Sequence, residues 1–330
     1  MCIALKNRGC IATSWCVTSF TYLLLQVNIM LRYFIGFVFS LLVVTAHAQQ
    51  APRSADSAPN VGFSILKTGS LSVREGLIFS GGRFGEKVDS IFSAILVKHG
   101  QEFFLFDAGL GSKVAQQYEQ DMPLFMRPFF RYEEPVSPAR AQLDQAGIGP
   151  IQRIILSHSH WDHASGLSDF PDAQVLVAPE ELEHIRQPSS AVAGAWPSQV
   201  GDKSIRWKTL DFKPAAYEGF ERSIDLYGDG KIVLVPMYGH TPGSIGMFVT
   251  VDSGKQYFFV GDVVWSASAV QKANPKFWAA RFQVDKDADK TQQTIEQIRA
   301  VVSRRPEVIV VPAHDGKVQN ALGYFPSWIK

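Results

Sequence analysis

Four apolar runs of this chain share one feature: each leads directly into a histidine or an aspartate. The run "IILS" precedes His158, "IVLVPMYG" precedes His240, "YFFVG" precedes Asp262 and "VIVVPA" precedes His314. Short apolar runs bounded by glycine or proline predict buried β-strands. Side chains at the ends of such strands meet at one edge of the sheets, where ligand sites assemble. The chain is therefore expected to fold into sheets that bring these four positions together.

The first of these positions begins a dense polar cluster. Residues 157–166 read "SHSHWDHASG", which places His158, His160, Asp162 and His163 close together in the chain. The whole chain has only eight histidines. Three of them against one apolar strand have no role in a hydrophobic core, because buried imidazoles need polar partners. This spacing instead predicts a metal site.

The candidate ligands divide into two sets with one shared member. One set supplies three imidazole nitrogens, enough for a metal ion with an open coordination position, and the other supplies two imidazoles and a carboxylate. The first set is His158, His160 and His240, the second is Asp162, His163 and His314, and Asp262 is placed to bridge the two ions. Such ligands suit zinc, and also iron, manganese or cobalt. We expect two divalent metal ions as cofactors, with zinc as the first choice.

The remaining pattern predicts one α/β domain over residues 61–330, with two sheets covered by helices. Lys98 to Gln101 are expected to form a hairpin turn that contains His99. The run "GLIFSGG" at residues 76–82 is expected to form a further strand.

Three helices follow from the same pattern. Ser137 and Pro138 are expected to supply the N-cap and first residue of a helix that Gly147 ends. The run "PEELEHIRQ" predicts a short helix with His184 on its exposed face. Apolar spacing over residues 287–304 predicts a long helix.

The amino-terminal segment predicts export. From Met30 it reads "MLRYFIGFVFSLLVVTAHAQQAP", with Arg32, an apolar stretch and a small-x-small site that ends at Ala48. This predicts a signal peptide over residues 1–48 with Met30 as the true start, and a disordered leader over residues 49–60. The protein is then expected to be secreted or periplasmic, without membrane association after cleavage. The alternative is an uncleaved anchor over residues 20–44, which the polar residues within that range disfavour.

Composition excludes several kinds of site and partner. All three cysteines precede Met30, so the predicted mature chain has no thiolate for catalysis, metal binding or a disulfide. The net charge is +1 at pH 7, without the basic excess that binds nucleic acid. A site in the mature chain must therefore be built from nitrogen and oxygen ligands.

The motifs in this order resemble the metallo-β-lactamase superfamily. They are H-x-H-x-D-H at 158–163, H-T-P-G at 240–243, G-D at 261–262 and the strand-terminal His314, and "FFLFDAGLG" at 103–111 resembles that family's second-strand motif with Asp107. The resemblance covers nearly all of residues 61–330. It implies a four-layer αββα sandwich with a dinuclear metal centre at one edge, Asp107 beneath it, and the ligand sets given above.

The bridging residue narrows the function that the resemblance implies. The β-lactamases proper usually have Cys or Ser near the position of Asp262, whereas glyoxalase II, N-acyl-homoserine lactonases and methyl-parathion-hydrolase-like enzymes share the aspartate. The ending "VVPAHD" is most similar to the lactonase and organophosphate hydrolase group. This predicts an exported dinuclear hydrolase of small lactones or related carboxylic esters that uses a metal-bridging hydroxide. The alternatives are an organophosphate or aryl-ester hydrolase, a β-lactamase, or a non-catalytic metal-binding protein.

Asp162 is expected to be catalytic, as a ligand that also moves a proton from the bridging oxygen to the leaving alkoxide. Trp265 is the third residue after Asp262, where those lactonases often carry a Tyr aimed at the substrate carbonyl. Trp265, Trp161 and Tyr238 are candidate substrate contacts, with Tyr132 as another replacement for the missing Tyr. The aromatic segments 123–130 and 273–282 would line the substrate pocket, or pack against the sandwich or the second subunit of a homodimer.

Overall fold

A computed structural model describes residues 60–128, 130–187 and 194–330. The predicted signal peptide and all but the last residue of the predicted leader lie outside these ranges. Within them, no helix has both the length and the apolar character needed to cross a membrane.

The first sheet has six strands in sequence order. They are β1 (Val61–Arg74), β2 (Lys87–His99), β3 (Glu102–Phe106), β4 (Arg153–Ile155), β5 (Gln174–Val177) and β6 (Arg206–Thr209). Strands β1 to β3 are antiparallel, and β3 to β6 are parallel. His99 pairs with Glu102 across the turn between β2 and β3, and Gly100 adopts a φ of 58° that glycine tolerates. The predicted hairpin is therefore confirmed.

The second sheet has five strands in the order β11-β10-β9-β8-β7. They are β7 (Ile224–Asp225), β8 (Ile232–Pro236), β9 (Ile245–Thr250), β10 (Gln256–Phe259) and β11 (Ile309–Val311). Only β10 and β11 pair in parallel, since the long helix connects them on one face of the sheet.

Nine α-helices lie among the described residues. They are α1 (Val114–Asp121), α2 (Ala139–Gln145), α3 (Trp161–Ala164), α4 (Pro179–Ile185), α5 (Pro197–Val200), α6 (Ala267–Val270), α7 (Trp278–Val284), α8 (Ala288–Arg304) and α9 (Gly316–Leu322). The predicted long helix is α8. Its N-cap is Asp287, whose side chain accepts a hydrogen bond from the Lys290 backbone N–H at 3.0 Å.

Apolar side chains arrange these elements into four layers. Between the sheets, Phe63 of β1 packs edge-on against Tyr257 and Phe259 of β10, with ring centroids 4.9 Å apart in both pairs. On the outer face of the first sheet, Leu143 of α2 is buried against Ile154 of β4. On the outer face of the second sheet, the core is covered by α8. The predicted αββα sandwich is confirmed.

Two local predictions were wrong. "GLIFSGG" does not form a strand, because the Glu75 and Gly76 N–H groups bond to Glu86 and Arg83 and fold the segment into a 3₁₀ turn, Glu75–Leu77. The helix after residue 137 begins one residue late, at Ala139. The Ser137 N–H instead donates to the Thr68 carbonyl of β1 at 2.8 Å, which fixes this residue to the sheet before the helix starts. Gly147 ends the helix as predicted, with a φ of 67°.

Ile298 of α8 is fully buried in the outer core of the second sheet. Replacement Ile298→Ala is expected to lower the free energy of unfolding by about 2–5 kcal/mol, through lost burial and the cavity it leaves. Urea unfolding of the metal-free protein measures the change. The exposed neighbour Gln297 provides the matched control, and Gln297→Ala should change the free energy by no more than about 0.5 kcal/mol. Equal effects of the two replacements would contradict this packing.

Candidate metal centre

The predicted ligands lie at the carboxyl ends of four strands. Strand β4 leads to His158, β8 to His240, β10 to Asp262 and β11 to His314. The short helix α3 starts immediately after His160 and carries Asp162 and His163. All seven residues are at most 8% exposed. The two sheets therefore bring to one edge residues that are as much as 156 positions apart in the chain, from His158 to His314.

Three imidazole nitrogens of the first set point at one another. His240 Nε2 lies 3.2 Å from His158 Nε2 and 2.9 Å from His160 Nδ1. A neutral imidazole has one N–H and one lone pair, so three facing nitrogens cannot all be satisfied by bonds among themselves. A cation between them would satisfy all three, and the donor set fits a divalent metal ion.

The second set is arranged around two carboxylates. His314 Nε2 lies 3.2 Å from Asp162 Oδ2 and 3.1 Å from Asp262 Oδ2. His163 Nε2 lies 3.2 Å from Asp262 Oδ1, yet within the part of the chain that the structure describes neither of these buried atoms has a hydrogen-bond partner. Buried polar atoms are rarely left unpaired in proteins, and a metal ion would pair both. Asp262 belongs to both sets of converging ligand atoms.

Asp107 fixes the orientation of one ligand in each set. Its Oδ2 accepts from His163 Nδ1 at 2.7 Å and from Ser157 Oγ at 2.8 Å, while its Oδ1 accepts from the Ser157 backbone N–H. His158 Nδ1 in turn lies 3.0 Å from Ser157 Oγ. With Nδ1 engaged in this way, both imidazoles present Nε2 to the centre. Asp107 itself adopts a φ of 61° at the end of β3, a conformation that aspartate tolerates better than most residues.

The other two Nε2 ligands are held in the same way. His314 Nδ1 donates to the Ile91 carbonyl at 2.8 Å. His240 Nδ1 lies 2.8 Å from Oδ1 of Asp285, whose side chain is fully buried. Asp285 could not be recognised from the sequence, because it lies between helices and 45 residues after His240.

Glu181 is a second residue that sequence reasoning missed, since the helix that carries it was expected on the surface. It is fully buried, and its Oε1 accepts from Ser159 N at 2.8 Å and Ser159 Oγ at 2.5 Å. Its Oε2 accepts from Thr241 Oγ1 at 2.6 Å and Gly243 N at 3.1 Å. Glu181 therefore joins the loop of His158 and His160 to the loop of His240. A Cβ at Gly243 would lie 2.2 Å from Glu181 N, which explains the glycine of the H-T-P-G motif.

The prediction that His184 is exposed was wrong, because the residue is 3% exposed. His184 lies one turn after Glu181 on α4 and therefore on the same helix face. This face turns toward the ligand loops, and burial lowers the pKa of His184. The apolar residues Leu182 and Ile185 pack against the outer core of the first sheet, so both sides of α4 are covered.

Burial controls the protonation of the first set. It lowers the pKa of His158 and His240 well below the usual value, with Lys276 reinforcing the effect at His240. Burial also lowers the pKa of His160, to about 4. These imidazoles are therefore neutral at pH 7, which is the form that binds a metal ion.

Carboxylates dominate the second set. Burial would lower the pKa of His163 and His314, but Asp107 and Asp262 raise that of His163, and Asp262 and Asp162 raise that of His314 to about 10. For Asp262 and Asp162, burial would raise the pKa, but the neighbouring histidines lower it. Both histidines therefore carry a proton at pH 7 before a metal ion is bound.

The candidate substrate contacts lie in different surroundings. Trp265 is half-buried, and its Nε1 donates to Asp262 Oδ2 at 2.9 Å. Trp161 is buried, and its ring stacks on Trp196 at 5.1 Å. Tyr238 places its hydroxyl 3.4 Å from Glu180 Oε1 on α4. Tyr132 lies beside Trp161, with ring centroids 6.2 Å apart.

Replacement Glu181→Gln is expected to weaken zinc binding about 10- to 100-fold, because an amide nitrogen would face the donors that the carboxylate now accepts. Competition with a chromophoric chelator measures the affinity. The exposed Glu183 on the same helix provides the control, and Glu183→Gln should bind zinc like the unmodified protein. Wild-type affinity in Glu181→Gln would contradict the role of this contact.

The two ligand sets should differ in their pH dependence. Binding at the second set displaces the protons of His163 and His314, so affinity there should rise with pH, by about tenfold per pH unit for each proton released. The first set is already neutral and should bind with nearly constant affinity between about pH 6 and 9. Calorimetric titration in buffers of different ionisation enthalpy counts the released protons. Equal proton release in the two binding steps would contradict this assignment.

Comparison with known proteins supports the same set of candidate ligands. The model of the metallo-beta-lactamase superfamily matches residues 91–314, which include all seven candidate ligands. N-acyl homoserine lactonase AttM of Rhizobium radiobacter is 26% identical over 178 residues, 53% of this chain and 62% of that protein. The probable metallo-hydrolase Rv2300c of Mycobacterium tuberculosis is 28% identical over 205 residues, 58% of this chain and 63% of that protein. The chain thus spans less than two thirds of these relatives.

Solved structures with the same fold include two lactone hydrolases. An N-acyl homoserine lactone hydrolase with N-hexanoyl-L-homoserine at its catalytic metal centre has a TM-score of 0.62 at 16% identity, covering 82% of this chain and 100% of that one. AidC, a dizinc quorum-quenching lactonase, has a TM-score of 0.54 at 16% identity, covering 82% and 90%. At 16% identity, these similarities show that the fold is shared. Because the family model matches more than half of the sequence and includes every candidate ligand, the chain belongs to the metallo-beta-lactamase superfamily.

Proposed function

We propose that this chain is a dinuclear metal-dependent hydrolase of lactones or related carboxylic esters. The observation that carries the proposal is the pair of buried ligand sets that share Asp262. Supporting evidence comes from relatives named as N-acyl homoserine lactonases. Zinc is the expected metal, with iron, manganese and cobalt as alternatives that the same ligands accept.

The proposed centre divides its residues between holding metal and moving protons. His158, His160 and His240 would hold one ion, and Asp162, His163 and His314 the other, with Asp262 shared. When bound, two divalent ions supply Lewis acidity, which polarises an ester carbonyl and lowers the pKa of water toward neutrality.

Asp162 is the residue proposed to move the proton. Its Oδ2 lies 3.2 Å from His314 Nε2, and in the metal-free protein the neighbouring histidines lower its pKa, so Asp162 is an unprotonated carboxylate. It would take the proton of the attacking water and give it to the alkoxide that leaves when the ester bond breaks. Opening of a lactone would then yield a hydroxy acid.

Trp265 affects the choice of substrate. Its N–H already donates to Asp262 and is therefore not free to orient a substrate carbonyl, which is the role of the tyrosine at this position in the lactonases. Trp161 lies among aromatic rings, with Phe92 at 5.7 Å and Trp196 at 5.1 Å. Phe92 also lies 5.5 Å from the ring of His314, so aromatic rings border the ligand sets and support a second candidate function, hydrolysis of aryl esters or organophosphates.

Export and assembly complete the proposal. We propose that the mature protein is secreted or periplasmic, on the basis of the signal-peptide pattern before Ala48. A homodimer is also proposed, because Trp278 and Phe282 on α7 are 72% and 84% exposed and apolar side chains of this size are usually covered.

The purified protein is expected to bind about two equivalents of zinc and to hydrolyse an acyl-homoserine lactone faster than a β-lactam. An aryl phosphotriester in the same panel separates the two candidate functions. Replacement Asp262→Ala should lower kcat/KM by at least about 100-fold, because it removes the ligand that both sets share. Asp289→Ala, at a position that is 97% exposed, should leave the rate unchanged.

Two results would count against this function. A metal-loaded protein that hydrolyses none of the three substrate classes would support a non-catalytic metal-binding protein. Undiminished hydrolysis in Asp262→Ala would place the activity at another site.

A further inference from the structure

A buried lysine lies directly behind the candidate metal centre. Lys276 is 1% exposed, and it follows the turn after α6. Its Nζ donates to Asp285 Oδ1 at 2.7 Å and to the Val263 carbonyl at 3.2 Å. It also lies 5.5 Å from the centroid of the Trp265 ring, within the range of a cation–π contact.

Both side chains that this ammonium contacts also contact a candidate ligand. Asp285 Oδ1 accepts from His240 Nδ1 at 2.8 Å as well as from Lys276. Trp265 Nε1 donates to Asp262 Oδ2 at 2.9 Å. One cation therefore lies behind the residues that orient an imidazole of the first set and the carboxylate that both sets share.

Core packing alone does not explain a lysine at position 276. Burial of an ammonium and a carboxylate carries a desolvation cost that a well-packed apolar pair would avoid. The ammonium also cannot reach solvent or substrate from a position that is 1% exposed. Its side-chain contacts are with Asp285 and Trp265. Asp285 Oδ2 is buried and has no hydrogen-bond partner within residues 60–128, 130–187 and 194–330, so Oδ1 makes the polar contacts of this carboxylate.

We propose that Lys276 is a positioning residue of the metal centre, whose ammonium holds Asp285 against His240 and the Trp265 ring against Asp262. The inference rests on the dinuclear centre proposed above. It also gives Trp265 a role: the indole couples the buried cation to the shared ligand. A tyrosine at that position would carry a hydroxyl at a different place and would offer a smaller ring to the ammonium.

Zinc transfer to EDTA and the visible spectrum of the Co²⁺-loaded protein test this inference. Lys276→Met should lose zinc affinity by up to about 10-fold, the lower end of the effect of removing a direct partner of a metal ligand, because Lys276 acts through Asp285 and Trp265, and it should change the Co²⁺ absorption. Lys276→Arg, which keeps the charge and a donor for Asp285, should restore part of the affinity. Lys272→Met, at an exposed lysine four positions earlier, should match the unmodified protein in both measurements.

Two further variants separate positioning from folding. Lys276→Gln keeps an N–H donor but removes the charge and shortens the side chain by one atom, so it serves if the Met variant does not fold, and it should show an intermediate loss of affinity. Trp265→Phe keeps an aromatic ring, although a smaller one, and removes the N–H. Its effect on zinc affinity should be smaller in the Lys276→Gln background than alone, because both changes act on the same path to Asp262.

The outcomes distinguish this inference from the function on which it rests. If the unmodified protein binds no zinc or cobalt, both are wrong. If it binds both metals and the Met and Gln variants retain its affinity and its Co²⁺ spectrum, the positioning role alone is wrong. Variants that lower the melting temperature of the metal-free protein while keeping full zinc affinity would also overturn it, since Lys276 would then act only on the fold.

Discussion

Seven polar side chains are buried together at the edge of this sandwich, and the rest of the site follows from the cost of keeping them there. Buried imidazoles and carboxylates must be paired, because a polar group removed from water without a partner is destabilising. Among the described residues, His163 Nε2 and Asp262 Oδ1 have no hydrogen-bond partner. This unsatisfied demand within a fully buried cluster is the physical basis of the metal assignment.

The contacts of Asp107 and Asp285 orient the ligand imidazoles toward the centre of the cluster. Asp107 accepts a hydrogen bond from His163 directly and orients His158 through Ser157. Asp285 pairs with the Nδ1 of His240. Each contact uses the nitrogen that faces away from the centre, which fixes the tautomer and presents the other nitrogen. Glu181 works on the backbone instead, since it holds two ligand loops together by their N–H and hydroxyl groups.

The sandwich fold determines how accurately the ligand residues are positioned. Its strands are anchored by two outer cores and an inner core rich in aromatic rings, such as Phe63 against Phe259. Loops that leave such strands begin at fixed points, so their first residues can be placed within a few ångströms of one another. Helix α8 covers the second sheet, and the turn before it carries Asp285 to His240.

Sequence patterns recovered the parts of this protein that depend on local chemistry. The hairpin between β2 and β3, helix α8 and the two-sheet sandwich follow from turn residues and apolar periodicity, and all three occur as predicted. The strand prediction for "GLIFSGG" was wrong because the same apolar residues can form a strand or a 3₁₀ turn. The outcome depends on the backbone hydrogen bonds from Glu75 and Gly76 to Glu86 and Arg83. The prediction that His184 is exposed was wrong because a short helix with mixed polarity has no face that the sequence alone marks as buried.

The residues that could form a metal centre can be read from the order of amino acids, because clustered histidines after apolar strands have few other uses. The family can be read in the same way, through motifs that appear in a fixed order. The residues that support those ligands become visible once the chain is folded. Glu181, Lys276 and Asp285 are ordinary charged residues in their local sequence, and folding gives each of them its partner. Asp285 contacts His240 over 45 positions, Glu181 contacts Gly243 over 62, and Lys276 contacts Asp285 over 9. A charge becomes a positioning group when folding buries it, because burial removes the water that would otherwise satisfy it.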